Sequence, residues 1–321
     1  MSFGPIAALL AAGLLASPLT PEGKGPAFVF ASAAQASQIL GGRDAFVQGL
    51  SPFDRAARLK TDQTVSEQAF LDFVAAQAGS WSGPERERVQ AALTELAPRL
   101  GALALPWPQS IYLIRSSGRE EGNAPYTRMN AIILPASALA AGSRLQELLL
   151  HELFHILSRH NPGLKAKLYA AIGFRPCGKV VLPAGLQARK ITNPDAPIND
   201  FCIRLSHAGS PVWAVPILLS SAEHYDALRV GEFFEYLQLQ FLLVSAAAEP
   251  DFSSAAETSL AELPELTGFY EQVGRNTEYI LHPEEILADN FALLMLGTNP
   301  PSPEITTRLR EILKQAAAEP D

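Results

Sequence analysis

Residues 148–157 read LLLHELFHIL, a run in which Leu148, Leu149, Leu150, Phe154, Ile156 and Leu157 surround three titratable side chains. The spacing predicts a helix from about Ser143 to Arg159, closed by the stop signal His160-Asn161-Pro162. Such a helix is apolar nearly all round and has to be buried. His151, Glu152 and His155 would then be buried too, and buried polar groups need partners. The chain must therefore fold so that something polar or charged meets this helix.

On a helix, positions i and i+4 lie on one face, one turn apart. His151 and His155 can therefore bind one metal ion, and Glu152 can reach a water held by that ion. A bare His-Glu-x-x-His also occurs by chance, so a third ligand decides the matter. A histidine on the same segment would need Gly seven places and His ten places after His151. Those positions hold Ser158 and Asn161, and His160 is one place off, so that pattern is rejected. His160 reads instead as a helix-end residue facing the last carbonyls.

The second source of a ligand is NTEYILHPEEILADNFALLML, at 276–296. Pro283 suits a first helical turn, and Glu285 and Asp289 are four apart on one face. The helix dipole accounts for acids at Glu284 and Glu285 without any further role. It does not account for Asp289 inside an apolar helix. A ligand histidine donating its second ring N–H to Asp289 would account for it. Glu284 is an alternative third ligand, and Glu285 is preferred because it pairs with Asp289.

These two motifs together resemble the gluzincins, the thermolysin-like clan of zinc peptidases. HELFHILSRHNP and HPEEILADNFA also look similar to uncharacterised bacterial predicted metallopeptidases. The resemblance covers the two motif helices and the strand TRMNAIIL, about a tenth of the chain. It implies that His151, His155 and Glu285 bind zinc, that Glu152 is the general base, and that Asp289 accepts from a ligand histidine. It implies a zincin-like fold in which TRMNAIIL is the sheet edge for an extended peptide. The motifs stand farther apart than in thermolysin-like enzymes, so the substrate-binding part must differ.

Three protein ligands leave a position open for water, the arrangement of a catalytic site. Glu152 would take the water's proton and pass it to the leaving amine. A developing oxyanion needs a second donor, and Tyr279 and His282 stand nearest in sequence to the ligand helix. The expected activity is zinc-dependent peptide-bond hydrolysis on a peptide or protein substrate. The alternatives are a zincin-fold binding protein without activity and a zinc amidase on a non-peptide substrate.

The rest of the chain sets the frame. The 321 residues carry 25 Lys+Arg against 33 Asp+Glu, a net charge of −8 that disfavours nucleic acid. Pro5 to Ala16 fits the apolar core of a signal peptide and is too short to span a bilayer. Residues 1–26 thus read as leader and linker of an exported protein, although no basic side chain precedes Lys24. The domain is expected over 27–321, with possible subdomains 27–162 and 163–321. Helices are expected at Ser32 to Leu40, Val65 to Gln77, Pro84 to Leu100, Val230 to Ala247, Leu260 to Val273, Pro283 to Leu296 and Pro303 to Ala317. Strands are expected at Ser110 to Ser116 and Thr127 to Leu134, joined by a turn-rich stretch that suggests a hairpin or sheet edge. Phe174 to Ser221 reads as loops and short strands. Within it, Asn193 to Asp200 is explained by Asx-Pro turns or by a place in the cleft wall. Cys177 and Cys202 are either a disulfide or two buried thiols. The fold class is α+β, mostly helical, with a small mixed sheet beside the motif helix.

Overall fold

A computed structural model of the protein describes residues 25–140, 142–229, 231–246, 249–254 and 258–318. The expected leader lies outside the described residues. The chain opens with β1 (Ala27–Phe30), α1 (Ala33–Leu40), α2 (Ala45–Gly49), α3 (Pro52–Leu59), α4 (Glu67–Ala75), β2 (Ala78–Gly79) and α5 (Gly83–Ala102). Ser32 and Gln35 form a reciprocal capping box on α1, as their spacing suggests. Next come β3 (Ser110–Ser116), β4 (Tyr126–Arg128), β5 (Ala131–Pro135), α6 (Ala136–Leu139), α7 (Leu145–His160) and α8 (Pro162–Ala171).

The middle contains β6 (Phe174–Pro176), α9 (Ala184–Ala188), β7 (Phe201–His207), β8 (Ser210–Ser220), β9 (Leu237–Ser245), β10 (Ser259–Ala261) and β11 (Leu266–Thr267). Three helices close the chain, α10 (Tyr270–Val273), α11 (Pro283–Leu296) and α12 (Pro303–Ala318).

The protein is mixed α+β with small sheets. The first sheet runs β1-β3-β5-β4, with β2 also on β3. β1–β3 and β3–β5 are parallel, while β4 is antiparallel to β5 and forms an edge. The expected single strand 127–134 is thus a hairpin, broken at Met129, whose φ is +50°. β3 and β4 do not pair. Alternation along β5 sends Ile132 and Leu134 into one core with α5 and α7. Ala131 and Ile133 face the other core, formed with α1, α2 and α4.

The short strands expected within Phe174 to Ser221 are present as β6, β7 and β8, and they belong to a second sheet beyond the single small one expected. This sheet is antiparallel, in the order β10-β9-β8-β7-β11, with β6 on β7. The expected helix 230–247 is instead a 3-10 turn at Phe233–Tyr236 followed by β9. Phe241 and Leu243 enter the core shared with the helices, while Leu242 and Val244 pack on the opposite face. A strand buried on both faces reads as one long apolar run. The expected helix 260–273 is likewise absent. Pro264 and Gly268 interrupt it, and β10, a 3-10 turn at Leu263–Glu265, β11 and α10 replace it.

Cys177 and Cys202 are free, buried thiols beneath the second sheet. Among the described residues, no helix is long and apolar enough to cross a membrane.

Candidate metal centre

Helix α7 is wrapped by apolar contacts through Leu149, Leu150, Leu153, Phe154, Ile156 and Leu157. It packs along α11, which contributes Ile286, Leu287, Phe291 and Leu294 to the same core. Pro283 occupies the first turn of α11, and Gly297 ends it in the left-handed conformation with φ +74°. This packing brings together side chains separated by more than a hundred residues.

His151 Nε2 lies 3.1 Å from Glu285 Oε2, and His155 Nε2 lies 3.5 Å from the same oxygen. The two rings are 4.7 Å apart, nearly perpendicular. One ligand atom from each of His151, His155 and Glu285 falls within 4.8 Å of the others. The opposite ring nitrogens are held by separate carboxylates. His151 Nδ1 is 2.7 Å from Asp289 Oδ1, and His155 Nδ1 is 3.2 Å from Glu284 Oε1. Each Nδ1 donates to its carboxylate when the ring is the Nε2-lone-pair tautomer, and that leaves both Nε2 atoms to face Glu285. Asp289 is fixed in turn by the Thr277 hydroxyl.

Glu284 thus meets the outer nitrogen of His155, whereas Glu285 is the carboxylate that converges with both Nε2 atoms. Glu284 is fully buried, and accepts from the Ser158 hydroxyl and from Tyr169 OH at 2.5 Å, with Lys165 Nζ 3.7 Å away. Burial raises its pKa, but Lys165 and His155 outweigh that and bring it down to about 2. The sequence carried a signal for this role, since an acid beside Glu285 points off the Glu285–Asp289 face.

The segment 193–195, for which the sequence allows a place in the cleft wall but assigns no residue, brings two side chains to the cluster. Asn193 Nδ2 donates to Glu285 Oε1 at 2.5 Å and orients the carboxylate. Asp195 Oδ1 accepts from the Thr127 N–H at 2.7 Å and from its hydroxyl at 2.6 Å, on edge strand β4. A ligand atom of Asp195 also lies within 4.8 Å of those of Glu152 and His155. Arg159 ties the loop to α7, donating to the carbonyls of Pro194 and Asp195. The Asx-Pro turns are present, Asp195 N donating to Asn193 Oδ1 at 2.9 Å, and the same turn carries both residues to the site.

Glu152 is 3% exposed, and its Oε2 and His155 Nε2 are buried without a hydrogen-bond partner. Burial, then the nearby Asp195, pushes the Glu152 carboxyl up to about 8. The two imidazoles go the other way from buried histidines in general. Hydrogen bonds donated to Asp289 and Glu285 overcome desolvation and raise His151 to about 10, and the charges of Asp195 and Glu285 raise His155. Two imidazole nitrogens and a carboxylate oxygen converge in a buried site with one nitrogen orphaned, a group that could hold a metal ion and whose donor types suit zinc.

An open cleft of about 980 Å³ reaches this cluster, lined by His151, Glu152, Asp195, Tyr279 and Glu285 among others. Tyr279 lines the cleft, with its ring 6.2 Å from that of His151. His282 caps α11, its Nδ1 accepting from Glu284 N at 3.1 Å, and is 5% exposed. Burial first, then Lys165, lowers its pKa to about 3. Unlike Tyr279, the capping His282 is not among the residues that line the cleft. His160 stands exposed at the end of α7, apart from the cluster. No family model, curated protein or solved structure matches this chain.

Proposed function

We propose that the protein is a zinc-dependent peptidase of zincin-like architecture. His151, His155 and Glu285 would hold the ion. The observation that carries this reading is the approach of both Nε2 atoms to one Glu285 oxygen while a different carboxylate holds each Nδ1. A zinc ion there would lower the pKa of a water and polarise a substrate carbonyl. Glu152, poised at about 8 and unpartnered at Oε2, would serve as the general base, accepting a proton from water and returning it to the leaving amine. Tyr279 donates its hydroxyl to the oxygen on which charge develops. Asn193 keeps Glu285 in place, and Asp289 and Glu284 fix the ring tautomers.

A metal-holding protein without hydrolytic activity is the second reading, favoured by one observation. The outward N–H of Thr127, on the edge strand expected to pair with a peptide, is already bonded to Asp195. One comparison separates the two. The purified protein should contain one zinc and cleave a peptide library, and Glu152→Gln should keep the zinc and lose cleavage. Zinc retained by both proteins with no cleavage by either would favour the second reading. No metal in the purified protein and no effect of a chelator would reject both.

A further inference from the structure

Away from the metal cleft, a cavity of about 310 Å³ opens between α2 and the segment 178–200. Val180, Leu182 and Ile217 form apolar walls. Lys190 lies in the lining and is 9% exposed. Its ammonium has one weak contact, the Pro197 carbonyl at 3.4 Å, and no described carboxylate within ion-pair distance. An ammonium has three donors, and burying one without a counter-charge is costly. Asp54, the carboxylate that acts on it from a distance, is engaged by Arg58 at 2.6 Å and by the Thr192 N–H. Desolvation accordingly pulls Lys190 below the ordinary lysine range.

We propose that this cavity binds a small organic monocarboxylate with an apolar body, its carboxylate on the Lys190 ammonium. The charge balance selects the class. Lys190 and the exposed Lys179 bring two positive charges to the lining and Asp200 one negative, which leaves room for one anionic charge. A phosphate dianion would overshoot that balance and could not use the apolar walls. The hydrocarbon part of the ligand packs on Val180, Leu182 and Ile217. The site is independent of the zinc reading, since it shares no lining residue with the metal cleft.

Hexanoate is the probe, with calorimetric titration of the full-length protein as the readout. One equivalent should bind, and Lys190→Met should weaken binding at least about tenfold, the loss expected for a charge-assisted hydrogen bond. Lys190→Met replaces a poorly paired buried charge with an apolar chain of similar length, so its melting temperature should hold or rise. A second measurement needs no variant. Hexanoate should protect Lys190 from trinitrobenzenesulfonate, read by peptide mass, while leaving Lys179 labelling nearly unchanged. Absence of binding and protection would overturn the proposal. So would equal affinity in the Met variant, which would place hexanoate elsewhere, or tighter binding of inorganic phosphate than of hexanoate.

Discussion

Glu284 and Asp289 do the same job on two different histidines, and their surroundings differ in a way that can be tested. Asp289 is partly open, whereas Glu284 is sealed behind Ser158 and Tyr169. Loss of a carboxylate behind a metal-binding imidazole costs about 10- to 100-fold in affinity. Glu284→Gln should therefore weaken zinc binding by that factor in a competition titration with a chromophoric chelator. An unchanged affinity would show that His155 needs no orienting partner. The same nitrogens bind protons, and the sign follows. Both imidazoles are raised, His151 to about 10, so across neutral pH a metal ion displaces protons from them. Zinc affinity should fall steadily as pH is lowered from 8 to 6, with protons taken up as the metal leaves. The pair His151-x-x-x-His155 was legible because its spacing alone fixes a shared helical face. Asn193 and Asp195 were not, because their contribution depends on where a loop of Asx-Pro turns is laid across α11 and β4.

Elements were legible where local signals and burial agree. Helices α1, α5 and α11 announce themselves by capping residues or by Pro in the first turn. β9 did not, because Phe241 to Val244 are buried on both faces and their period is hidden. Only the Leu237-Gln238-Leu239-Gln240 alternation ahead of them marks a strand. The cap of α11 also predicts a pH dependence. His282 has a folded pKa of about 3 against an ordinary 6.5, so below pH 6.5 the unfolded chain binds a proton that the folded one refuses. Its contribution to stability is thus complete above pH 6.5 and is lost as pH falls towards 3. Between pH 7 and pH 5 the loss is about 2 kcal/mol. Asn caps a helix without titrating, so His282→Asn should lose less stability than wild type over that interval in urea unfolding. Parallel losses in the two proteins would mean that His282 is not the buried neutral group described here.

At the scale of the whole molecule, the two halves suggested by the sequence share one core. Ile132, Leu149 and Phe154 belong to the same apolar cluster as Ile203, Phe241, Phe291 and Leu309. Helix α7 comes from the first half, yet the carboxylates that meet its histidines come from α11, in the second. A fragment of residues 25–162 would expose the buried face of α7 and leave its imidazoles without partners. A large apolar face of that kind is an aggregation liability in water. The fragment should therefore show no cooperative thermal transition, whereas the full chain unfolds in one step. Zinc should act on the same linkage, since an ion bound only by the assembled halves stabilises the folded state. At a free zinc concentration about 100-fold above Kd, the gain is about 2.7 kcal/mol. Calorimetry of the full chain with and without zinc, beside the fragment, tests both statements. A fragment that melts cooperatively, or a full chain whose melting ignores zinc, would show that α7 and α11 do not depend on each other.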